Sequence, residues 1–241
     1  MSDFSRSFGY QSVDPAEREQ RIRRVFDTVA PRYDLMNDLM SMGTHRLWKR
    51  SFARMAAPRA GQVIVDLAGG TGDIAARMAG PDRLVAVCDP SLRMMEVGRG
   101  RGLTGVQWLA GAGERLPLAT GSVDTVTISF GIRNVTDMPA ALAEIRRVLK
   151  PGGRFLCLEF SKAWAPIRPF YNLFSFTVIP RLGAWVARAP EAYNYLIESI
   201  RRFPDQEEMK AIMERAGFAD VRYRNLTFGI ACIHVATKPS G

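Results

Sequence analysis

The sequence predicts an α/β fold: a mostly parallel sheet of seven strands, helices on both faces, and an antiparallel hairpin at one edge. Three observations predict it. From residue 61 onward short apolar runs alternate with amphipathic helical patterns, and such alternation means parallel strands joined by crossover helices. The first run, Val63–Leu67, passes directly into a glycine turn and a helix. Two late runs, Val221–Asn225 and Ile230–Thr237, are joined around Thr227-Phe228-Gly229, which reads as a hairpin.

Each element follows from its local pattern. Ile22, Val25, Phe26 and Val29 fall at i, i+3, i+4 and i+7, so residues 16–29 form a helix. Pro31 ends it, because the residue before a proline is pushed out of the α region. A second helical stretch covers Met36 to Met55, and Pro58 and Gly61 mark a boundary. Strand Val63–Leu67 is followed by helix Gly72–Met78, strand Leu84–Cys88 by helix Ser91–Gly98, and then come strands Val106–Ala110 and Val123–Ile128. Met138, Ala141, Leu142, Ile145, Val148 and Leu149 mark an amphipathic helix stopped by Lys150-Pro151-Gly152-Gly153. Arg154–Phe160 is the next strand. Asp205 and Glu208 form a capping-box pair ahead of Met209, Ile212, Met213 and Ala216, and Gly217 ends that helix. The chain divides into an N-terminal helical arm (1–60), a core (61–160), a helical lid insert (161–203) and a C-terminal part that completes the sheet (204–241).

The chain has 241 residues, 47% hydrophobic and 24% charged, the balance of a globular protein with a real core. Its start lacks an apolar segment of the secretory kind. The longest apolar stretch, Phe170 to Ile179, is about half the ~20 residues a spanning helix needs. A cytoplasmic protein is expected, at most peripheral at the inner face of a membrane. Cys88, Cys157 and Cys232 lie far apart in apolar runs without a C-x-x-C, which argues against a disulfide frame or a zinc site. With only His45 and His234 besides, no metal is expected. The net charge is +9. Residues 1–60 carry 11 Lys/Arg against 7 Asp/Glu, and residues 161–203 carry 6 against 2, so the excess lies outside the core. A solvated basic face is one reading; attraction to an anionic membrane surface is the other. No nucleic-acid-reading motif accompanies the charge.

The strongest local signal is Val65-Asp66-Leu67-Ala68-Gly69-Gly70-Thr71-Gly72-Asp73. Glycines permit a tight turn and close approach of a ligand, and the helix N-terminus offers free N–H groups. Gly70-x-Gly72-x-x-Ala75 also fits the dinucleotide fingerprint, so the loop alone does not separate NAD from S-adenosylmethionine. Asp66 favours the latter: a carboxylate at the strand end suits a cationic methionine amine and would face a pyrophosphate unfavourably. Asp89, at the tip of the next strand, is placed to accept from ribose hydroxyls. The plainer alternatives are loop bracing for Asp66 and a turn role for Asp89.

Further on come Glu114-Arg115-Leu116-Pro117-Leu118, Ser122–Val126 and Leu149-Lys150-Pro151-Gly152-Gly153. In this order they resemble the class I methyltransferase superfamily, a Rossmann-like fold. The resemblance narrows on Phe8–Gln11, Tyr33–Asp38, His45–Arg50, Asp66–Asp73, Ile128–Asp137, Glu159–Lys162, Pro180-Arg181, Glu198–Arg201 and Pro204–Gln206. These runs look like the ubiquinone/menaquinone biosynthesis C-methyltransferases, and they include the arm and the insert outside the shared core. The resemblance implies methylation of a ring carbon on a polyprenylated quinol, either a 2-polyprenyl-6-methoxy-benzoquinol or demethylmenaquinol. It implies cofactor contacts at Thr71, Asp89, Ala112, Gly113 and Ser129. The family usually carries a polar side chain where this sequence has Ala112, so adenine contact there falls to backbone or a neighbour. Assembly with other enzymes of the quinone pathway is a further possible partner relation.

A quinol carbon becomes a competent nucleophile when a phenolic proton leaves. Arg133 and Asn134 follow the end of the Val123–Ile128 strand. Arg133 is expected to bind and acidify the phenol, Asn134 to orient it, and Tyr33 to relay the proton. The alternative for Arg133 is a salt bridge to Asp137 or Glu159; for Tyr33, Trp48 and His45 it is packing within the arm. The insert is rich in aromatics: Trp164, Phe170, Tyr171, Phe174, Phe176, Trp185, Tyr193 and Tyr195. Phe170, Leu173, Phe174 and Val178 share one helical face, read as the inner wall of a lid over the prenyl tail. Rival functions are another small-molecule methyltransferase, an NAD(P)-dependent oxidoreductase and a non-catalytic binding module. Amino-methylating nucleic-acid enzymes usually carry an [N/D]-P-P-[Y/F] box where this chain reads Ser129-Phe130-Gly131-Ile132, which disfavours them.

Overall fold

Seven strands form one sheet in the order β5-β4-β3-β6-β7-β9-β8. They are β3 (Val63–Leu67), β4 (Leu84–Asp89), β5 (Val106–Ala110), β6 (Val123–Ser129), β7 (Leu149–Phe160), β8 (Ala219–Leu226) and β9 (Ala231–Thr237). The structure, a computed structural model, describes residues 6–173, 177 and 190–240. In that order β5, β4, β3, β6 and β7 pair in parallel, and β9 lies antiparallel between β7 and β8. The chain therefore steps outward from β3 to β5, then returns to lay β6 against the free side of β3. Loops leaving β3 and β6 diverge there, and ligands of open α/β sheets bind in such a crevice.

Both faces of the sheet are covered. On one pack α1 (Pro15–Val29), α3 (His45–Ala56), α4 (Asp73–Met78) and α5 (Leu92–Arg99), with Ile22, Val25, Phe52, Met78 and Met95 against Ile64, Val85 and Val87. The same cluster takes in Tyr195, Leu196, Ile197 and Ile200 of α8 (Pro190–Arg202). On the other face α6 (Met138–Val148) and α9 (Gln206–Arg215) bury Leu142, Ile145, Met209 and Met213 against Val65, Leu67, Val126 and Cys157. Alternation along β3 thus sends Ile64 and Asp66 toward the α1/α3 side, and Val65 and Leu67 toward α6.

The expected elements are present with three differences. The second helical stretch is two helices, α2 (Tyr33–Ser41) and α3, because Met42 and Gly43 both take positive φ (50° and 74°) and break the helical path. The arm opens with a small hairpin, β1 (Ser7–Phe8) and β2 (Gln11–Ser12), too short for sequence periodicity to reveal. Strand β7 begins at Leu149, so Lys150–Gly153 is an irregularity inside the strand, where pairing shifts between Val123 and Thr125. The capping box of Asp205 and Glu208 is formed in both directions.

In the insert, α7 covers Arg168–Leu173, and α8 carries the chain toward α9. Leu173 is exposed. Phe174, Phe176, Val178 and Trp185 lie outside the described residues, as do the side chains of Phe170, Tyr171 and Tyr193. Tyr195 is buried, its ring stacked 4.4 Å from that of Phe8, so it belongs to the arm's packing. Among the described residues no helix is long and apolar enough to cross a membrane, and no group of His, Cys, Asp and Glu is arranged to hold a metal ion.

Candidate cofactor and active site

Asp66 occupies the last but one position of β3, directly across from Thr127 of β6. Paired positions of neighbouring strands point their side chains the same way, so the Thr127 hydroxyl reaches Asp66 Oδ1 at 2.9 Å. Asp66 Oδ2 is buried and, among the described residues, has no hydrogen-bond partner. Burial pushes this carboxyl up to about 7, against the Thr127 hydroxyl, the Ala75 N–H and the Lys49 charge, which lower it. A buried carboxylate oxygen without a partner is costly unless a donor or cation meets it.

The turn after β3 passes close over that oxygen. A side chain on Gly69 would sit 2.7 Å from Asp66 Oδ2 and 2.8 Å from its backbone oxygen, so only glycine passes there. Gly70 takes φ 56° and donates its N–H to Asp89 Oδ2 at 2.8 Å. Asp89 Oδ1 accepts from Ser91 N at 2.8 Å. Burial raises Asp89 to about 6, while those two N–H donors act to lower it. Asp89 thus braces the glycine turn, and each of its oxygens keeps a second lone pair for a ligand hydroxyl. At the ends of β3 and β6 two non-glycine residues, Ala68 (φ 49°) and Phe130 (φ 56°), hold the left-handed region. Such strain persists where surrounding structure enforces it, and it commonly marks a functional loop.

These loops enclose a cavity of about 360 Å³. Asp66, Gly69, Gly70, Thr71, Asp89, Ala112, Gly113, Ser129, Asn134 and Tyr33 line it. Ile22, Phe26, Ile74 and Met94 give it apolar walls, and Glu19, Arg23, Lys49, Asp73 and Glu114 add charge. Ser129 Oγ is buried without a partner among the described residues, a second polar atom at the reactive edge. The Asn134 amide is held from two sides: its Oδ1 accepts from the Tyr195 hydroxyl at 2.9 Å, and its Nδ2 donates to Phe130 O at 3.3 Å.

Two expected site residues do not line the cavity. Gly72 is the N-cap of α4 at φ 80°, packed under Trp108, and shapes the turn from behind. Arg133 is the other. Its side chain is 5% exposed and turns away from the cavity, with Nη1 2.5 Å from Glu159 Oε1 and 2.9 Å from Phe130 O. A guanidinium so paired neutralises a buried carboxylate, which is the salt-bridge alternative to a phenol-binding role. Arg18 completes this region: buried at 2% exposure, it donates to the backbone oxygens of Ser7, Arg133 and Val135 at 2.8–3.1 Å. The arm is thereby tied to the turn that carries Asn134.

Lys49, Asp73 and Glu114 were not expected at the site. A signal for Lys49 existed, since it shares a helical face with Phe52 and Ala56, and a lysine on the buried face of an amphipathic helix asks for a partner. That partner is Asp73, 2.9 Å from Nζ. Burial raises Asp73, but the charge and hydrogen bond of Lys49, helped by Arg77, pull it below its ordinary value. Glu114 accepts from the N–H groups of Thr136 and Asp137 at 2.6 and 3.1 Å, so it braces the far wall.

A model of the ubiE/COQ5 methyltransferase family matches residues 15–238. The chain belongs to the ubiE/COQ5 methyltransferase family. Among its relatives in that family, a ubiquinone/menaquinone biosynthesis C-methyltransferase of Rubrivivax gelatinosus is 70% identical over 97% of this chain and 93% of its own length. The corresponding protein of Caulobacter vibrioides is 49% identical over 97% and 98%. A methyltransferase structure from Thermotoga maritima shares the fold at TM-score 0.65 and 20% identity, covering 89% of this chain and 99% of that one. Membership removes the oxidoreductase and the non-catalytic module from consideration. The residues present fit S-adenosylmethionine: a buried carboxylate with one oxygen unpartnered among the described residues for a cationic amine, a glycine turn for close approach, and a second acid at the tip of β4.

Proposed function

We propose that this chain transfers a methyl group from S-adenosylmethionine to a ring carbon of a polyprenylated quinol, a benzoquinol, a naphthoquinol or both. The observation that carries the reading is the Asp66 carboxylate, buried, without a partner at Oδ2 among the described residues, and lining a cavity that Asn134 and Tyr33 also line. The acceptor class follows from family membership and from relatives named for ubiquinone/menaquinone biosynthesis.

Bound S-adenosylmethionine supplies an electrophilic methyl on a cationic sulfur. The chain's own residues do the rest. Asp66 holds the ammonium end and sets the depth of binding. Asn134, fixed by Tyr195 and by Phe130 O, keeps a free amide N–H and orients the quinol oxygen. Tyr33 lines the cavity from α2, and its hydroxyl relays the phenolic proton by accepting it while releasing its own proton to water. Ile22, Phe26 and Met94 exclude water, which strengthens each polar contact inside. Arg133 positions the turn through Glu159 and Phe130 O without touching the quinol.

The basic excess of the arm and insert supports docking at an anionic membrane surface, where a prenyl tail resides; flotation with anionic vesicles checks it, and binding insensitive to salt would refute it. The function itself is tested by incubating the protein with methyl-labelled S-adenosylmethionine and each reduced quinol. Label is expected on a ring carbon of at least one. Labelled product absent from both, with bound cofactor present, would overturn the acceptor class.

A further inference from the structure

Lys49 is a buried cation on the wall of the cavity to which methyl transfer assigns no task. It is 4% exposed and lies on the face of α3 that also buries Phe52 and Ala56. Its Nζ is 2.9 Å from Asp73 Oδ2, and Asp73 Oδ1 takes Arg77 Nε at 3.1 Å. One carboxylate thus serves two cations, so the trio carries a surplus positive charge. Asp66 lines the same cavity and feels the Lys49 charge, and its Oδ2 has no partner among the described residues. One cavity therefore offers a negative group and a surplus positive group within electrostatic reach of each other. The other cation on the wall, Arg23, is half exposed and paired with Glu19 at 3.2 Å. An ammonium has three N–H donors; Asp73 takes one of Lys49's, and two remain.

We propose that Lys49, held in place by Asp73, binds the α-carboxylate of the cofactor's amino-acid end while Asp66 takes its α-ammonium. The site is then built for an L-α-amino acid zwitterion, and a ligand with the ammonium but no carboxylate meets half of it. This rests on the S-adenosylmethionine reading above. A lysine that only stapled α3 to α4 would be indifferent to the ligand's carboxylate, and that difference is measurable.

The test compares S-adenosylmethionine with its decarboxylated analogue, which keeps the sulfonium and the amine, by titration calorimetry on the full chain. The unaltered protein is expected to prefer S-adenosylmethionine by about tenfold or more, the worth of one hydrogen-bonded charge contact. Lys49→Met, titrated well above pH 7 so that Asp66 stays ionised without the Lys49 charge, is expected to erase most of that preference by weakening S-adenosylmethionine far more than the analogue. A preference as large in Lys49→Met as in the parent overturns the inference. So does equal affinity of the unaltered chain for the two compounds, a result that stands even if the variant does not fold. If neither compound binds the unaltered chain, the cofactor reading itself falls, and this inference with it.

Discussion

Replacing Asp66 by Asn separates binding from stability, because the two should move in opposite directions. Holding this carboxyl at about 7 in the fold, against 3.8 for a free aspartate, corresponds to roughly 4 kcal/mol of destabilisation when it ionises in place. Asparagine retains an acceptor for the Thr127 hydroxyl at the Oδ1 position. It leaves an unpaired buried amide N–H, at a cost of about 1–3 kcal/mol. The ligand-free variant is therefore expected to be more stable than the parent by about 1–3 kcal/mol above pH 7, at ~2–4 °C of Tm per kcal/mol in a chain of this size. The contribution of Asp66 to stability is intact below 3.8, where the acid is neutral folded and unfolded, and is lost as pH rises toward about 7. The variant's advantage should accordingly grow between these values and level off above. Loss of the buried charge contact should cost about 3 kcal/mol of S-adenosylmethionine binding, roughly a hundredfold in affinity. Thermal melts across pH and titration calorimetry measure both. A variant that melts lower than the parent at alkaline pH, or that binds the cofactor undiminished, refutes the assignment of Asp66.

Three other perturbations probe the same region. Affinity for S-adenosylmethionine should fall by about tenfold per pH unit below pH 7 as Asp66 takes up a proton, and the Asn variant should show a flat profile; equal slopes would remove Asp66 as the titrating group. Arg133→Ala should destabilise the fold by about 3–5 kcal/mol in urea titrations by leaving Glu159 buried without its cation, and adding Glu159→Gln should recover part of the loss. Unchanged stability with abolished turnover would instead return Arg133 to the reacting centre. Gly69→Ala places a methyl 2.7 Å from Asp66 Oδ2, so cofactor binding should be lost while far-ultraviolet circular dichroism stays native; retained affinity would show that the turn yields.

Much of the site was legible because it is local. A strand running into Gly69-Gly70-Thr71-Gly72 puts Asp66 at the strand end whatever packs around it, and Asp89 follows at the tip of the next strand. The capping box and the closing hairpin obey the same short-range rules. Arg133 shows the limit. Its pattern was compatible with two carboxylates and a ligand, and the choice fell to Glu159, 26 residues on, delivered by the parallel pairing of β6 with β7. The broken helix at Met42-Gly43 was missed because an apolar rhythm continued across a turn that one glycine and one left-handed residue make.

By itself the amino-acid sequence determined the order and kind of the elements, the parallel sheet with its antiparallel edge, and the glycine turn with an acid ahead of it. Those depend on periodicities and turn preferences that act over a few residues. Only the tertiary structure decided which charges meet: Asp66 set in the cavity wall with one oxygen unpartnered among the described residues, Arg133 closed onto Glu159, and Lys49 brought beside Asp73. Electrostatic partnership depends on distance through space, and α3, β3 and β7 become neighbours only when the two apolar faces of the sheet are covered.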